Sequence, residues 1–424
     1  MNARPEFIKP ELETMSLGMT ERLKPLHEAV ATMVRDEIIP ASAAFEEAHA
    51  KAPDPWTYTP EMLEIIDGLK AKAKDRGLWN FWLTDSERGY GLSTVEYAYL
   101  AEEMGKAPLG AETFNCSAPD TGNMEVLERY GSQAHKDKWL GKLLEGKIRS
   151  AYVMTEPQTA SSDATNIRLS CVRDGDEYVL NGEKWWISGA GDPRCELYIV
   201  MVHTPSDDRP KHQQHSQILV DPKTPGITKL RAMQVFGNPD APHGHLHLRF
   251  ENVRVPAENL LLGEGRGFEI SQGRLGPGRI HHCMRAIGQA ERALELMIKR
   301  SLDREAFGQP LYKLGANYDI IAECRIKIEQ TRLLCLKAAW MMDQGDPRQA
   351  GPWISMIKTA APRMALEVID EAMQMHGAGG LSQDFPLAHM WTHVRTLRQA
   401  DGPDAVHRRQ VARRELRQYT QEKV

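Results

Sequence analysis

The chain has 424 residues, 41% of them hydrophobic and 26% charged, with a net charge of −5 and a pI near 6.3. That length exceeds what one core usually serves, so two or three domains are expected, with the balance of residues typical of a globular protein. The mildly acidic charge argues against nucleic acid or an anionic membrane surface as a partner. Cys116, Cys171, Cys195, Cys283, Cys324 and Cys335 form no CxxC and no close pair, a usage suited to a reducing compartment. The opening MNARPEFIKPELE lacks the apolar segment of a secretory leader, and no apolar run is long enough to span a bilayer. A cytoplasmic protein without a membrane span is expected.

Residues 1–150 read as a helical N-terminal domain. Leu23, Leu26, Val30, Met33 and Val34 recur at helical spacing, and Pro40 is expected to stop that helix. A loop with Pro53, Pro55 and Pro60 around Trp56 and Tyr58 follows, then a helix over Glu61–Asp75 ended by Gly77. The run GLWNFWLTDSERGYGLSTVEYAYLAEEMG (77–105) has an apolar face that signals core packing rather than a ligand site.

Residues 151–263 read as a small antiparallel β domain, a barrel or sandwich. Tyr152-Val153-Met154 is a β-favouring run ending at Thr155-Glu156-Pro157, and Ser161, Ser162 and Asp163 then offer hydroxyls and backbone N–H groups. Tyr178–Leu180 and Trp185–Ile187 flank Asn181-Gly182, which predicts a hairpin turning on that dipeptide. Paired tryptophans with Ser188 and Gly189 just beyond can present a flat face and a hydroxyl to one planar, polar-edged ligand. Further strands are expected over Leu197–Val202, Gln217–Val220, His245–Phe250 and Val253–Val255. His243, His245 and His247 alternate at metal-capable spacing, but no acidic or cysteine residue lies beside them, so a solvated or stacked strand face is expected and no metal.

From Glu264 the pattern is helical again. One stripe is Ile287, Ala290, Leu294, Met297 and Ile298; a second is Ile320, Cys324, Ile328, Thr331 and Cys335; a third is Ile357, Ala360, Met364, Val368 and Met375. A last helix is expected to begin at Pro403. The fold class is therefore α+β: a helical domain over 1–150, a β middle domain over 151–263 and a C-terminal four-helix bundle over 264–424.

Three linked motifs, Y-x-M-T-E-P at 152–157, S-S-D at 161–163 and N-G-x-K-x-W-I-S at 181–188, resemble in order and spacing the middle domain of the acyl-CoA dehydrogenase family. Arg304-Glu305-Ala306-Phe307-Gly308 is similar to that family's R-x-x-F-G, and Gln374–Gly380 resembles its Q-x-x-G-G-x-G. Asp401-Gly402 stands where the family carries a catalytic Glu-Gly, and Gly276-Pro277-Gly278-Arg279 where it carries a substrate-contacting arginine. The segments DGPD, QTASSD and RLGPGRIHH look closest to the branch called "ten and eleven", some members of which carry a kinase-like domain that this sequence lacks.

The resemblance implies FAD as cofactor, held by Tyr152, Met154, Thr155, Ser162, Trp186, Ser188, Arg304, Gln374, Gly377, Pro403 and Asp404. Arg304 would meet the pyrophosphate, and a neighbouring subunit would supply Gln374 and Gly377, so a homodimer or homotetramer is implied. Ser162, Arg279 and Gly402 would contact an acyl-CoA substrate. Asp401 would be the general base, removing the α-proton as hydride leaves the β-carbon for flavin N5 to give the trans-2-enoyl-CoA in fatty acid β-oxidation, with electron-transfer flavoprotein as acceptor. The sequence departs from the family's pattern at Gly276, at Leu314-Gly315 and at Pro403-Asp404-Ala405, and Asp401 reaches about 1.5 Å less far than Glu. By themselves Asp401-Gly402-Pro403-Asp404 are a helix-capping sequence, Gly377–Gly380 a helix C-cap and Arg304 a solvated helix end. A nitroalkane-oxidase-like flavoenzyme, which shares the Asp base, and a non-catalytic binding module are the alternatives.

Overall fold

The computed structural model describes residues 15–83, 88–345 and 347–420. The opening segment and the centre of the 77–105 run lie outside the described residues. In chain order the helices are α1 (Leu23–Met33), α2 (Ile39–Ala50), α3 (Pro60–Asp75), α4 (Thr94–Gly105), α5 (Gly110–Thr113), α6 (Asp120–Tyr130), α7 (Gln133–His135) and α8 (Gly141–Leu144). The strands β1 (Arg149–Val153), β2 (Ser170–Asp174), β3 (Glu177–Ser188), β4 (Cys195–His203), β5 (His215–Val220), β6 (Ile227–Met233) and β7 (His245–Pro256) follow. Then come α9 (Gly267–Asp303), a short hairpin of β8 (Glu305–Ala306) and β9 (Gln309–Pro310), α10 (Asn317–Asp343), α11 (Pro347–His376), α12 (Leu387–Thr396) and α13 (Asp404–Leu416). No helix among the described residues is long and apolar enough to cross a membrane.

The chain falls into two compact units, one comprising Ala43–Leu83 and Glu112–Gly278, the other Met1–Ser42, Thr84–Ala111 and Arg279–Val424. The first holds a seven-stranded sheet in the order β1-β4-β2-β3-β7-β6, with β5 on β4. β4 runs parallel to β1 and β2, and the other pairings are antiparallel. Alternate residues such as Val153, Leu180, Tyr198, Val200, Leu248 and Phe250 close its core, against which Trp56 packs. The expected hairpin at Asn181-Gly182 does not form: β3 runs straight through it, and the turn lies one segment earlier, at Gly175 between β2 and β3. Asn181-Gly182 instead marks a register shift against β7, where Gly182, at φ +146°, lets the strand pass Leu169. The segments over His245–Phe250 and Val253–Val255 are one strand rather than two.

In the second unit the three stripes fall as expected, with Ile287, Ala290, Leu294, Met297, Ile328, Cys335, Ile357, Met364 and Val368 buried. Pro40 does not stop the first helix. The chain widens into a π turn over Val34–Ile38, with Ile39 N–H bonded to the Val34 carbonyl, and continues as α2 past the proline, which has no N–H to satisfy. Leu78–Leu83, in the other unit, forms turns rather than helix, though Leu78, Phe81, Trp82 and Leu83 are buried as core. α12 has no counterpart in the sequence reading. α4 and α9 cross backbone to backbone: a Cβ at Gly105 would lie 2.3 Å from the Arg285 carbonyl oxygen, and one at Gly288 2.0 Å from that of Glu102.

Candidate active site

In the sheet unit, the expected ligand-facing residues gather around the ends of β1, β3 and β7. Lys184 pairs with Leu248 and Ile187 with Leu246, so Trp185 and Trp186 together oppose His247 in a bulge. The bulge puts Trp186 at φ +55° and leaves it 40% exposed, its ring 5.8 Å from that of His245. Ser188 Oγ lies 2.9 Å from Nδ1 of the same histidine. A half-exposed indole beside a hydroxyl is what a planar ring with a polar rim requires. Thr155, at the end of β1, accepts the Trp185 N–H at 3.0 Å, and Met154 is half-buried next to it. Ser162 is exposed in the turn that Asp163 caps through the Thr165 N–H. Tyr152 turns elsewhere: its hydroxyl sits 2.8 Å from Ser271 Oγ and accepts from Gln217 Nε2 at 2.9 Å.

Beneath these residues lies a lock that the sequence reading missed. Lys184, fully buried, donates to the carbonyls of Met154 and Met201 at 2.7 Å each and to Glu156 Oε1 at 2.9 Å. Glu156 also accepts the N–H groups of Arg168 and Leu169 at 2.7 Å. Burial pushes the Lys184 ammonium down to about 8, against the attraction of Glu156. A second buried ion cluster sets Lys70, Arg149 and Arg194 against Glu112, Asp120 and Asp192. Although burial opposes its charge, the three cations hold Glu112 well below the usual carboxylate range. Of the two expected alternatives, His243, His245 and His247 form a stacked rather than a solvated face, with the His245 ring 6.5 Å from that of His243 and the His247 ring 6.4 Å from that of Trp185. His243 is held down by burial beside Arg149, His245 meets Asp240 at 3.2 Å, and His247 meets Glu183 at 3.0 Å.

In the helical unit, Asp401 and Gly402 form the turn before α13, at φ +55° and +107°. Pro403 is the N-cap of α13 rather than its first helical residue, which is Asp404, and the proline makes no side-chain cap bond. Asp404 instead accepts from Arg398 Nε at 2.8 Å. The Asp401 carbonyl accepts from Arg279 Nε at 3.0 Å and lies 3.2 Å from His407 Nε2. A Cβ at Gly402 would come within 2.9 Å of that nitrogen, so the tight turn needs glycine. The Asp401 carboxylate faces His282 Nε2 at 3.5 Å. Burial, with the charges of Arg279 and Lys358, pushes His407 down to about 4. Arg279, Asp401, Gly402, Pro403 and Asp404 are thus brought together. A carboxylate ringed by neutral histidines and buried cations can accept a proton.

Arg304, Gln374 and Gly377 stand on other elements of the same unit. Arg304 precedes the β8–β9 hairpin, whose tip carries Phe307 at 96% exposure, and its guanidinium has no partner among the described residues. Gln374 is exposed at the end of α11, and nothing lies within 4 Å of where a Cβ on Gly377 would be. Such open backbone and an unpaired fork donor suit a phosphate.

The chain that carries the Asp401 turn in its helical unit and a half-exposed indole in its sheet unit matches one class of protein in all three of its parts. The acyl-CoA dehydrogenase N-terminal, middle and C-terminal domain families match residues 20–147, 151–253 and 265–416. The chain belongs to the acyl-CoA dehydrogenase family. It is 51% identical over 405 residues to acyl-CoA dehydrogenase family member 10 of Mus musculus, a match covering 94% of this chain and 37% of that protein. It is 49% identical over 403 residues to the probable acyl-CoA dehydrogenase FadE2 of Mycobacterium tuberculosis, covering 95% and 97%. A solved structure provisionally described as an acyl-CoA dehydrogenase from Mycobacterium abscessus superposes with a TM-score of 0.90 at 51% identity, covering 95% of this chain and all of that one. The chain spans about half or less of the length of its mouse, Arabidopsis and chicken relatives. The likeness to the branch of members ten and eleven is as the sequence motifs imply.

Proposed function

We propose that the protein dehydrogenates an acyl-CoA thioester between its α- and β-carbons with FAD as cofactor and Asp401 as general base. FAD, when bound, supplies the acceptor for the hydride that leaves the β-carbon. Trp186, Ser188, Met154, Thr155 and Ser162, with the backbone of Tyr152, would hold its ring end, while Arg304, Gln374, Gly377, Pro403 and Asp404 would hold the remainder, Gln374 and Gly377 across a homo-oligomer interface. The half-exposed Trp186, the unpaired Arg304 and the open backbone at Gly377 support that fit. Arg279 and Gly402 would position the thioester, and a backbone N–H beside Asp401 would hold its oxygen as negative charge develops. Asp401 takes the α-proton. Electron-transfer flavoprotein is the proposed acceptor, and the matched family segments support a division of the chain near 150 and 263.

The observation that carries this reading is the Asp401 turn: a carboxylate 3.5 Å from His282 Nε2, with its backbone fixed by Arg279 beside His407. Asp401→Asn keeps shape and removes the proton acceptor. Anaerobic mixing with a panel of acyl-CoAs should leave that variant yellow and its flavin unbleached, with reduction slowed by about 10²–10⁴. Near-normal bleaching would falsify the assignment.

A further inference from the structure

We propose that Arg285 and His282 form a donor relay that fixes the Asp401 carboxylate as an oriented anion, with His282 as the positioning residue of proton abstraction; this rests on the reading of Asp401 as base. Arg285 carries donors only. Its Nη2 lies 3.3 Å from His282 Nδ1, so that nitrogen presents its lone pair and the ring proton sits on Nε2. Nε2 faces Asp401 Oδ2 at 3.5 Å, a gap that a small ring rotation closes as the site tightens on substrate. All three side chains belong to one unit, with His282 and Arg285 three residues apart on α9.

The surroundings keep the ring a donor. Arg279, His281 and Arg285 reach the pair from α9, Lys358 from α11, His393 from α12 and His407 from α13, with Asp404 acting on Lys358. Gln289 Nε2 donates to His393 Nδ1 at 2.9 Å, Lys358 donates to the Leu397 carbonyl, and Arg398 pairs with Asp404. Burial, reinforced by Arg285, pushes His282 down to about 3 against the attraction of Asp401, so the imidazole stays neutral through the working pH range. It therefore offers Asp401 a hydrogen bond without competing for the substrate proton. Losing a donor disfavours the anion, so the acid limb of proton abstraction should move to higher pH.

The test follows exchange of the α-protons of a 3-thia-acyl-CoA in deuterated buffer across pH, using the chain length that the wild-type holoenzyme exchanges fastest. The sulfur at position three removes the β-hydride, so exchange reads proton abstraction alone. His282→Leu should shift the acid limb up by roughly one unit and slow exchange about tenfold below it. His282→Gln, which retains an N–H, should recover most of the loss, and Arg285→Gln should shift the limb the same way by less. A structural role alone would lower the melting temperature of these variants and leave the limb in place, which overturns the relay. If His282→Leu fails to fold, an unmoved limb in Arg285→Gln overturns it instead. Exchange that survives in Asp401→Asn, or is absent from the wild type, defeats the base assignment and the relay together. Exchange silenced by Asp401→Asn with wild-type behaviour in His282→Leu defeats the relay alone.

Discussion

At the scale of single residues, Lys184 shows how one fully buried side chain decides the shape of the surface above it. Its three acceptors belong to the end of β1, the loop after it and β4, so one ammonium fixes the backbone from which Thr155 projects. Lys184→Met would leave the Glu156 carboxylate buried without its cation and two carbonyls without a donor. Removing one partner of such a pair costs about 3–5 kcal/mol, and the urea midpoint should fall accordingly. An unchanged midpoint would mean that Glu156 finds another partner. The lysine is visible in the sequence as the K of N-G-x-K, yet its role is not. Nothing local announces that a lysine between two strand residues points into the core. The ion cluster was hidden for the same reason, because Lys70, Glu112, Asp120, Arg149, Asp192 and Arg194 come from distant segments.

Elements were legible where periodicity was long. The stripes of α9, α10 and α11 and the unbroken apolar runs within β4 and β5 needed only the placing of apolar residues. Boundaries failed where two signals competed. Asp174-Gly175 and Asn181-Gly182 are both turn dipeptides, and only pairing with β7 decides that the second becomes a bulge. Pro40 is a helix breaker that a π turn accommodates. The start of α4 is an element whose stability depends on pH. Ser93 and Glu96 cap each other's backbone N–H groups at 3.1 and 3.0 Å, while Thr20 and Arg22 donate to Glu96 Oε1 at 2.5 and 2.8 Å. Burial alone would raise the Glu96 carboxyl, but Arg22, Thr20 and Ser93 outweigh it and bring the group from 4.5 down to about 2. A folded-state value below the unfolded one stabilises fully above about 4.5 and loses that contribution as pH falls towards 2. Glu96→Gln should thus melt at a lower temperature than wild type at pH 7, with the gap narrowing through that window. A gap constant with pH would show that the ionised carboxylate contributes nothing.

At the scale of the whole molecule, the buried histidines set the response to acid. Burial holds His243, His281, His282 and His407 below 6.5, His407 at about 4 and His282 at about 3. Between 6.5 and those values the unfolded chain binds protons that the folded one refuses, so stability rises with pH there and is lost on acidification. The apparent urea midpoint should be lower at pH 5 than at pH 7.5, and equal midpoints would contradict it. The crossing of α4 and α9 carries a different kind of vulnerability. Gly105 is remote in sequence from Asp401, but a methyl group placed there lands on the carbonyl of Arg285, and one at Gly288 lands on that of Glu102. In a saturation-mutagenesis map these two codons should therefore score like active-site codons although neither touches a substrate. Lineages drifting at this crossing must therefore change both helices together, since bulk added on one falls on the backbone of the other.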